Sequence, residues 1–595
     1  MKKNILLIAL IIATGCNDDF MERYPETSIS PEAFFKTVKD LELYTNTYYS
    51  FSTPSHFDYT SDNIMAYAES HSHNDLVRGN ITPETATGWD RTTWGNLRKY
   101  NILLANCSQT TGEAASINHY VGMTRMMRAA WYYDMVKLYS DVPWYSTPLT
   151  DKDDDLLFKT QDPRTVVVDS ILADLQFAID NMSSDIGNRT RFNRFYAAAM
   201  MARICLHEGT FRKYHSELNL QSTANSFLQR AVAAAEIVMN SGNYAIDLTG
   251  GPDRAYRQLF ITYDLSSSKE MILFKDYDRT LRVAHSGYNS GYYTFDWAFA
   301  YSRSLMESYS YITPEGKAVP FSTVEGYEKK HFTEVFANRD PRFSQTFRYP
   351  EYIAPSNTLP WRPRLQHGGY TNIKWMPETG DEYLLTAQYT DVPVFRFAEV
   401  LLIYAEAKAE LGTISQNDID ISINKIHERV NLPRTVIGEI VEDATLKAQF
   451  PDISDYLLLE IRRERRIELV SEGFRWDDLI RWNAGHLIEK VQEGIYVDGF
   501  GVFDMNGDGI PEMGLFESEA TNTIPAAERS AYSFYYLKNA DGSLTNITLT
   551  NGTSGYIVAN GELRNRSFIQ PKYYYWPIPQ TQLVINPNLK QTVYW

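Results

Sequence analysis

Cysteine is scarce: three residues in a chain of 595, at positions 16, 107 and 205. So few cannot form a disulfide framework, and Cys107 and Cys205, each inside a helix-like pattern, read as buried free thiols. A basic excess is also lacking, since the formal net charge is −17. Phosphate backbones require clustered Lys and Arg, so this balance argues against a nucleic-acid partner. Past the first residues, no run approaches the ~20 apolar residues of a membrane-crossing helix. Enzyme signatures fail as well. His207-Glu208-Gly209-Thr210-Phe211 lacks the second histidine of a zinc-protease helix, and Gly287-Tyr288-Asn289-Ser290-Gly291 misplaces serine for a nucleophile elbow.

What is present starts at the N-terminus. Lys2 and Lys3 precede an apolar stretch from Ile5 to Ala13, and Ala13-Thr14-Gly15 leads into Cys16. This is the three-part pattern of a secretory signal, too short to span a bilayer. Residues 1–15 are therefore read as a signal peptide. A cysteine directly after a small-residue site resembles the bacterial lipobox, which makes Cys16 the expected lipidation site. Asn17, Asp18 and Asp19 resemble the acidic surface-export tag of Bacteroidota lipoproteins. One acyl chain anchors only marginally, at ~0.8 kcal/mol per buried methylene, and the multiple acylation implied by the lipobox would make attachment lasting.

From residue 16 to about 240, helical periodicity dominates. Ser30-Pro31-Glu32 offers an N-cap with proline at the first helical position, and helix-spaced apolar residues recur in 94–107, 117–139, 165–182, 194–211 and 227–239. The last two segments carry Ala at many positions and look like a degenerate tetratricopeptide hairpin. Residues 241–595 form the second region. Its first part, to Asp391, is rich in Tyr, Gly, Pro and Asn and reads as loops. Helical pattern returns over 393–491, as 393–411, 416–430, 453–470 and 476–491, and the tail is irregular with a few short strands. The fold class expected is mostly α: a tetratricopeptide-like scaffold with a long loop-rich C-terminal part.

Several segments together resemble the SusD/RagB family. They are Phe395-Arg396-Phe397-Ala398-Glu399 through Tyr404-Ala405-Glu406-Ala407, Ile423-Asn424-Lys425-Ile426 with Asn431-Leu432-Pro433, and Glu464-Arg465-Arg466-Ile467-Glu468-Leu469. Glu472-Gly473-Phe474-Arg475-Trp476-Asp477-Asp478-Leu479, Arg481-Trp482, Asn338-Arg339-Asp340-Pro341-Arg342 and Trp576-Pro577-Ile578-Pro579 match as well. The resemblance implies an outer-membrane lipoprotein, facing outward, that works with a SusC-like TonB-dependent transporter and binds a nutrient without chemistry. Read physically, Glu460, Glu464, Glu468 and Glu472 alternate with Arg462, Arg463, Arg465 and Arg466, a pattern of ion pairs that fixes scaffold geometry.

Aromatics make up 14% of the chain, with 41 Tyr and 11 Trp, more than core filling alone suggests. Sugars lay apolar CH faces on aromatic rings and bond their hydroxyls to nearby polar groups. The richest such cluster holds Tyr288, Asn289, Tyr292, Tyr293, Asp296 and Trp297. Asp62 and Tyr67, with Trp89, are expected to form a second wall, and Trp361, Arg364 and Trp375 a third. Asp504, Asn506, Asp508, Ile510 and Glu512 alternate around glycines as a calcium loop requires, although Leu515 stands where the twelfth-position Glu belongs. Calcium is thus a candidate structural ion, and no cofactor is required. The expected ligand is an oligosaccharide. A peptide-capturing member of the same family is the alternative, and a surface glycoside hydrolase a remote one.

Overall fold

The computed structural model describes residues 31–50, 58, 60–66, 75–285, 299–355, 357–378, 387–563 and 566–595. Cys16 lies outside them. The longer helices are α1 (Val38–Thr45), α2 (Arg91–Asn106), α3 (Ala114–Tyr139), α4 (Arg164–Asn181), α5 (Arg194–Tyr214), α6 (Gln221–Met239), α7 (Ala255–Ile261), α8 (Phe397–Glu410), α9 (Tyr456–Glu468) and α10 (Arg475–Arg481). Their starts follow from side-chain caps. Asp90 accepts from Thr93 N–H at the head of α2, Asn193 from Phe195 and Tyr196 at α5, and Asp455 from Leu457 at α9.

Helices pack in consecutive pairs: α3 against α4, α5 against α6, and α8 against both α6 and α9. Small residues permit the close approach. A Cβ on Gly209 would stand 2.9 Å from the Leu228 side chain and 3.1 Å from its backbone N, and one on Gly122 would stand 2.8 Å from Met182. One large core cluster, from Tyr48 through the buried alanines of α5 to Ile426, joins these helices to α8. Cys205 sits inside it as a free thiol, pushed up to about 12 by burial, while Cys107 is half-buried. Of these two, only Cys107 should react, slowly, with a thiol reagent on the native chain, and both should react after denaturation; rapid native labelling of Cys205 would contradict the packing.

Strands are short and scattered: β1 (Ile64–Ala66), β2 (Met271–Lys275), β3 (Phe299–Tyr301), β4 (Tyr311–Ile312), β5 (Ala318–Val319), β6 (Val392–Arg396), β7 (Tyr496–Val497), β8 (Gly501–Phe503), β9 (Met513–Phe516), β10 (Ser533–Tyr536), β11 (Ile547–Leu549) and β12 (Gly555–Ala559). They form two- and three-stranded sheets: β1-β3, β2-β6, β4-β5, β10-β9-β8 and β11-β12-β7. The mostly α fold with few short strands is therefore as expected, with three local differences. Residues 392–396 are a strand paired with β2, so the helix expected from 393 begins at Phe397. The segment 416–430 is split into Gln416–Asp420 and Ile423–Glu428, and 476–491 into α10 and His486–Glu489.

The charges of α9 are buried and paired. Arg342 meets Asp340, Glu464 and Glu468; Arg396 meets Glu270, Glu468 and Glu472; Arg429 meets Glu270 and Glu468. Arg465 and Arg481 share Asp478, and Arg481 also holds Glu406. This network stitches β6, α8, α9 and α10 to the segments 270 and 340–342. It supports the scaffold beneath the loops and offers no free clamp for a ligand.

Candidate ligand-binding site

Tyr288, Asn289, Tyr292, Tyr293, Asp296, Trp297 and Tyr67 lie outside the described residues. The described chain on either side of them is held by two separate pairings. In the antiparallel β1–β3 ladder Ala66 faces Phe299, so the residue preceding Tyr67 and the residue two past Trp297 are partners. At the other end, His285 and Gln388 exchange both backbone hydrogen bonds at 2.9 Å. The two anchors are tied through the interior. Gln388 Nε2 donates to the Trp375 carbonyl (3.1 Å), Trp375 Nε1 donates to the Ser471 carbonyl (2.9 Å), and the Ser471 and Tyr301 hydroxyls lie 2.5 Å apart.

Trp375 therefore acts as a post and not as a wall: it is 1% exposed. Asp62 is corrected in the same way. It is buried, accepts from Arg475 at 2.7 and 2.8 Å, and lies 3.2 Å from Arg466. Burial alone would raise its carboxyl, but the two guanidiniums hold it down at about 2. Asn63 and Asp58 extend this support, with Asn63 accepting from Arg466 and Asp58 accepting from the N–H groups of Ser471 and Gly473. The Asp-Asn pair thus roots β1 on α9 and α10 and has no capacity left for a sugar. Trp361 is buried beneath Arg348, whose guanidinium carbon lies 4.9 Å from the ring. Arg364 is half-buried, and its charge acts on Tyr535. Trp89, also buried, borders a separate groove of about 680 Å³ with Trp94, Tyr145 and Asn101.

A groove of about 450 Å³ opens beside the His285 anchor. Its lining includes Tyr49 and Tyr277, both half-buried, with Asn46, Asn188, Arg191 and Asp276 between them. The Arg191 guanidinium lies 4.9 Å from the Tyr49 ring centre. Rings beside amide, guanidinium and carboxylate groups are the combination that sugar recognition requires. Sequence reading missed Tyr49 and Tyr277, because one lies in the single 3-10 turn Asn46–Ser50 and the other two residues past β2, where no local pattern distinguishes a groove from the core. Below the groove, burial pushes the Asp391 carboxyl up to about 7, although it accepts from Leu265 N–H (2.9 Å) and Tyr277 N–H (3.0 Å). Burial also lowers His285 to about 4, so its ring is neutral and bonds Thr390.

His207 and Glu208, from the segment that resembles a zinc-protease helix, serve the interior, and Gly287–Gly291 lie outside the described residues. Glu208 is fully buried between Arg164 and Arg212, and the His207 ring bonds the Tyr133 hydroxyl at 2.8 Å. Among the described residues, no three His, Cys, Asp or Glu side chains gather as a metal cluster.

Comparison with known proteins decides the family. The model described as "SusD family" matches residues 269–595, more than half of the chain. The chain belongs to the SusD family. A second model, described as "Starch-binding associating with outer membrane", matches residues 22–206 of this SusD-family chain. A curated relative, SusD-like protein P38 of Formosa agariphila, is 24% identical over 510 residues, covering 80% of this chain and 90% of the relative. Among solved structures, a SusD-like carbohydrate binding protein from Bacteroides fragilis superposes with a TM-score of 0.66 at 20% identity, covering 94% of this chain and all of that one. A laminarin binding SusD-like protein gives 0.52 at 19% identity, again over 94% and 100%. Among the described residues no helix is long and apolar enough to cross a membrane.

Proposed function

We propose that this SusD-family chain is a lipoprotein, anchored through Cys16 and facing outward, that captures an oligosaccharide and passes it to a SusC-like TonB-dependent outer-membrane transporter. Binding takes place without chemistry. The observation that carries this reading is the groove beside the His285 anchor. It holds Tyr49, Tyr277, Asn188 and Arg191, and His285, the last described residue before the tyrosine- and tryptophan-rich stretch, stands against Tyr277 with ring centres 4.5 Å apart. The carbohydrate-binding relatives support the ligand class, and the second family description supports the membrane.

A glycan array probed with the whole chain tests the ligand. Binding to one glycan class is expected, weakened at least tenfold, about 1.4 kcal/mol, by Tyr277→Ala and by Trp297→Ala. Binding to peptides and to no glycan would transfer the chain to the peptide-capturing alternative, and release of shortened sugar over hours would make it a hydrolase. Co-purification with a TonB-dependent transporter after mild detergent extraction is the expected result for the partner.

A further inference from the structure

The sheet β10-β9-β8 turns one face to the core. Met513, Leu515 and Leu537 belong to the core cluster around Tyr301 and Phe347, and Phe503 and Tyr535 pack against it. Side chains alternate along a strand, so their neighbours Val502, Gly514, Phe516, Phe534 and Tyr536 stand on the opposite face. Tyr532, one residue before β10, continues the row of Phe534 and Tyr536. All three rings are half-buried, and β10 is an edge strand of its sheet.

The row is built and held as a ring platform. Phe534 pairs with Gly514, and a Cβ on Gly514 would stand 2.6 Å from two carbons of the Phe534 ring and 3.0 Å from Phe516. Glycine thus leaves the space that seats this ring over β9. Tyr532 and Tyr536 flank it with ring centres 5.6 and 6.3 Å away and planes inclined by only 26° and 13°. Asn522 Nδ2 donates to the Tyr536 hydroxyl (3.0 Å), and Thr545 Oγ1 donates to the Tyr536 carbonyl (2.6 Å), which fixes the far end. Cross-strand packing accounts for Phe534 and Tyr536, whose partners on β9 are Gly514 and Phe516. It does not account for Tyr532, because the pairing with β9 begins at Ser533.

We propose that Tyr532, Phe534 and Tyr536 form a second site, weaker than the groove at Tyr277, for a neutral oligosaccharide lying along β10. This rests on the reading of the chain as a glycan binder, and the two sites share no residue. Alternate residues of a strand stand about 6.6 Å apart, a spacing on the scale of one sugar ring, so successive rings meet successive sugars through their apolar CH faces. A cleft of about 300 Å³ opens beside Phe534 and Tyr536, lined also by Gln366, Glu519, Lys538 and Asn539, which supply partners for hydroxyl groups. Its two charged lining residues are already paired, Lys538 with Glu517 at 2.6 Å and Glu519 with Arg529 at 3.7 Å. The cleft therefore presents no excess of either sign, which suits an uncharged sugar and not an acidic one. Because the rings are fixed before binding, little ordering remains to be done when the sugar arrives.

The test is titration calorimetry of the whole chain with the neutral oligosaccharide that binds most strongly on a glycan array. The parent should show two sites, one at least tenfold weaker than the other. Tyr277→Ala should keep the weaker site alone, and Tyr277→Ala combined with Tyr532→Leu should keep none. Tyr532→Leu and Phe534→Leu, which replace a flat ring by a branched chain, should each lose the weaker site and retain the tighter one, which also shows that they are folded. Tyr532→Phe keeps the ring and should keep both sites. A single site in the parent, lost in Tyr277→Ala and unchanged in Tyr532→Leu and Phe534→Leu, would overturn the proposal and leave the glycan reading in place. Equal binding by Tyr532→Leu and Tyr532→Phe would overturn it as well. Absence of binding to every glycan of the array would overturn both.

Discussion

Glu468→Gln should destabilise the chain by about 3–5 kcal/mol, read as a fall in the urea midpoint. The side chain is fully buried, and its two oxygens accept from Arg396 Nη1 (2.9 Å), Arg429 Nη1 (2.7 Å) and Arg342 Nη1 (3.1 Å). Burial alone would raise this carboxyl, yet the three guanidiniums hold it at about 2. Gln keeps the shape and removes the charge. Three buried cations then share the four remaining carboxylates of the cluster, Glu270, Asp340, Glu464 and Glu472, with Lys374, and the centre at which all three guanidiniums meet becomes neutral. The control is Glu428→Gln, which breaks an exposed pair with Lys425 whose side chains are 50% and 52% exposed. That change should cost less than about 1 kcal/mol. Equal effects at the two sites would mean that the buried network is open to water.

Replacing a whole buried network with apolar residues is often neutral, so the large effect does not mean that these charges are the source of stability. They select geometry. Arg342, Arg396 and Arg429 come from three separate segments, and only one arrangement of β6, α9 and the 340–342 turn brings all three to Glu468. The loops above inherit that arrangement through Asp62 on Arg466 and Arg475, and through Trp375 on Ser471.

This division explains what was legible in the sequence. Helix periodicity with capping residues such as Asp90 and Asn193 is a local signal, and the helices appear near where it places them. The alternating charges on 460–472 read as ion pairs for the same local reason. Pro393 misled because the strand it occupies exists only through pairing with β2, more than a hundred residues away, where Phe274 faces it. Asn483, at φ 57°, ends α10 in a way that apolar spacing does not reveal. The site was less legible than the fold. Trp361, Trp375 and Asp62 carry the residue types of a binding wall, but burial is a tertiary property, and all three serve the interior. Tyr49 and Tyr277 face a groove for reasons equally invisible along the chain.

Acid should unfold the chain in two stages, a shallow loss of stability from pH 6.5 to 4.5 and a steep one from 4.5 to about 2. The steep stage comes from carboxylates. Burial alone would raise Asp62, Glu208, Glu406 and Glu468, but adjacent arginines hold each at about 2, against ordinary values of 3.8 for Asp and 4.5 for Glu. A folded pKa below the unfolded one gives stability that is present above the unfolded value and lost as pH falls toward the folded value. At 1.36 kcal/mol per unit, each group loses about 3 kcal/mol across that window. The shallow stage is a balance. Burial lowers His207 to about 3 and His285 to about 4, so below their ordinary 6.5 the unfolded chain takes protons that the folded chain refuses. Asp391, raised to about 7 by burial, works in the opposite sense, because between 7 and 3.8 the folded chain holds a proton that the unfolded chain releases. Among these three groups two protons stand against one. His119, also lowered by burial, adds to the slope above pH 4.5, and Asp58, Glu307 and Glu493, raised by burial, subtract from it. Below 4.5 the four carboxylates steepen it. Urea midpoints measured at half-unit steps of pH read both slopes directly. Replacing Asp391 with Asn removes one opposing proton and should steepen the upper slope while leaving the slope below about pH 3.8 in place. A single uniform slope in the parent chain would show that the carboxylates are not held low by their arginines.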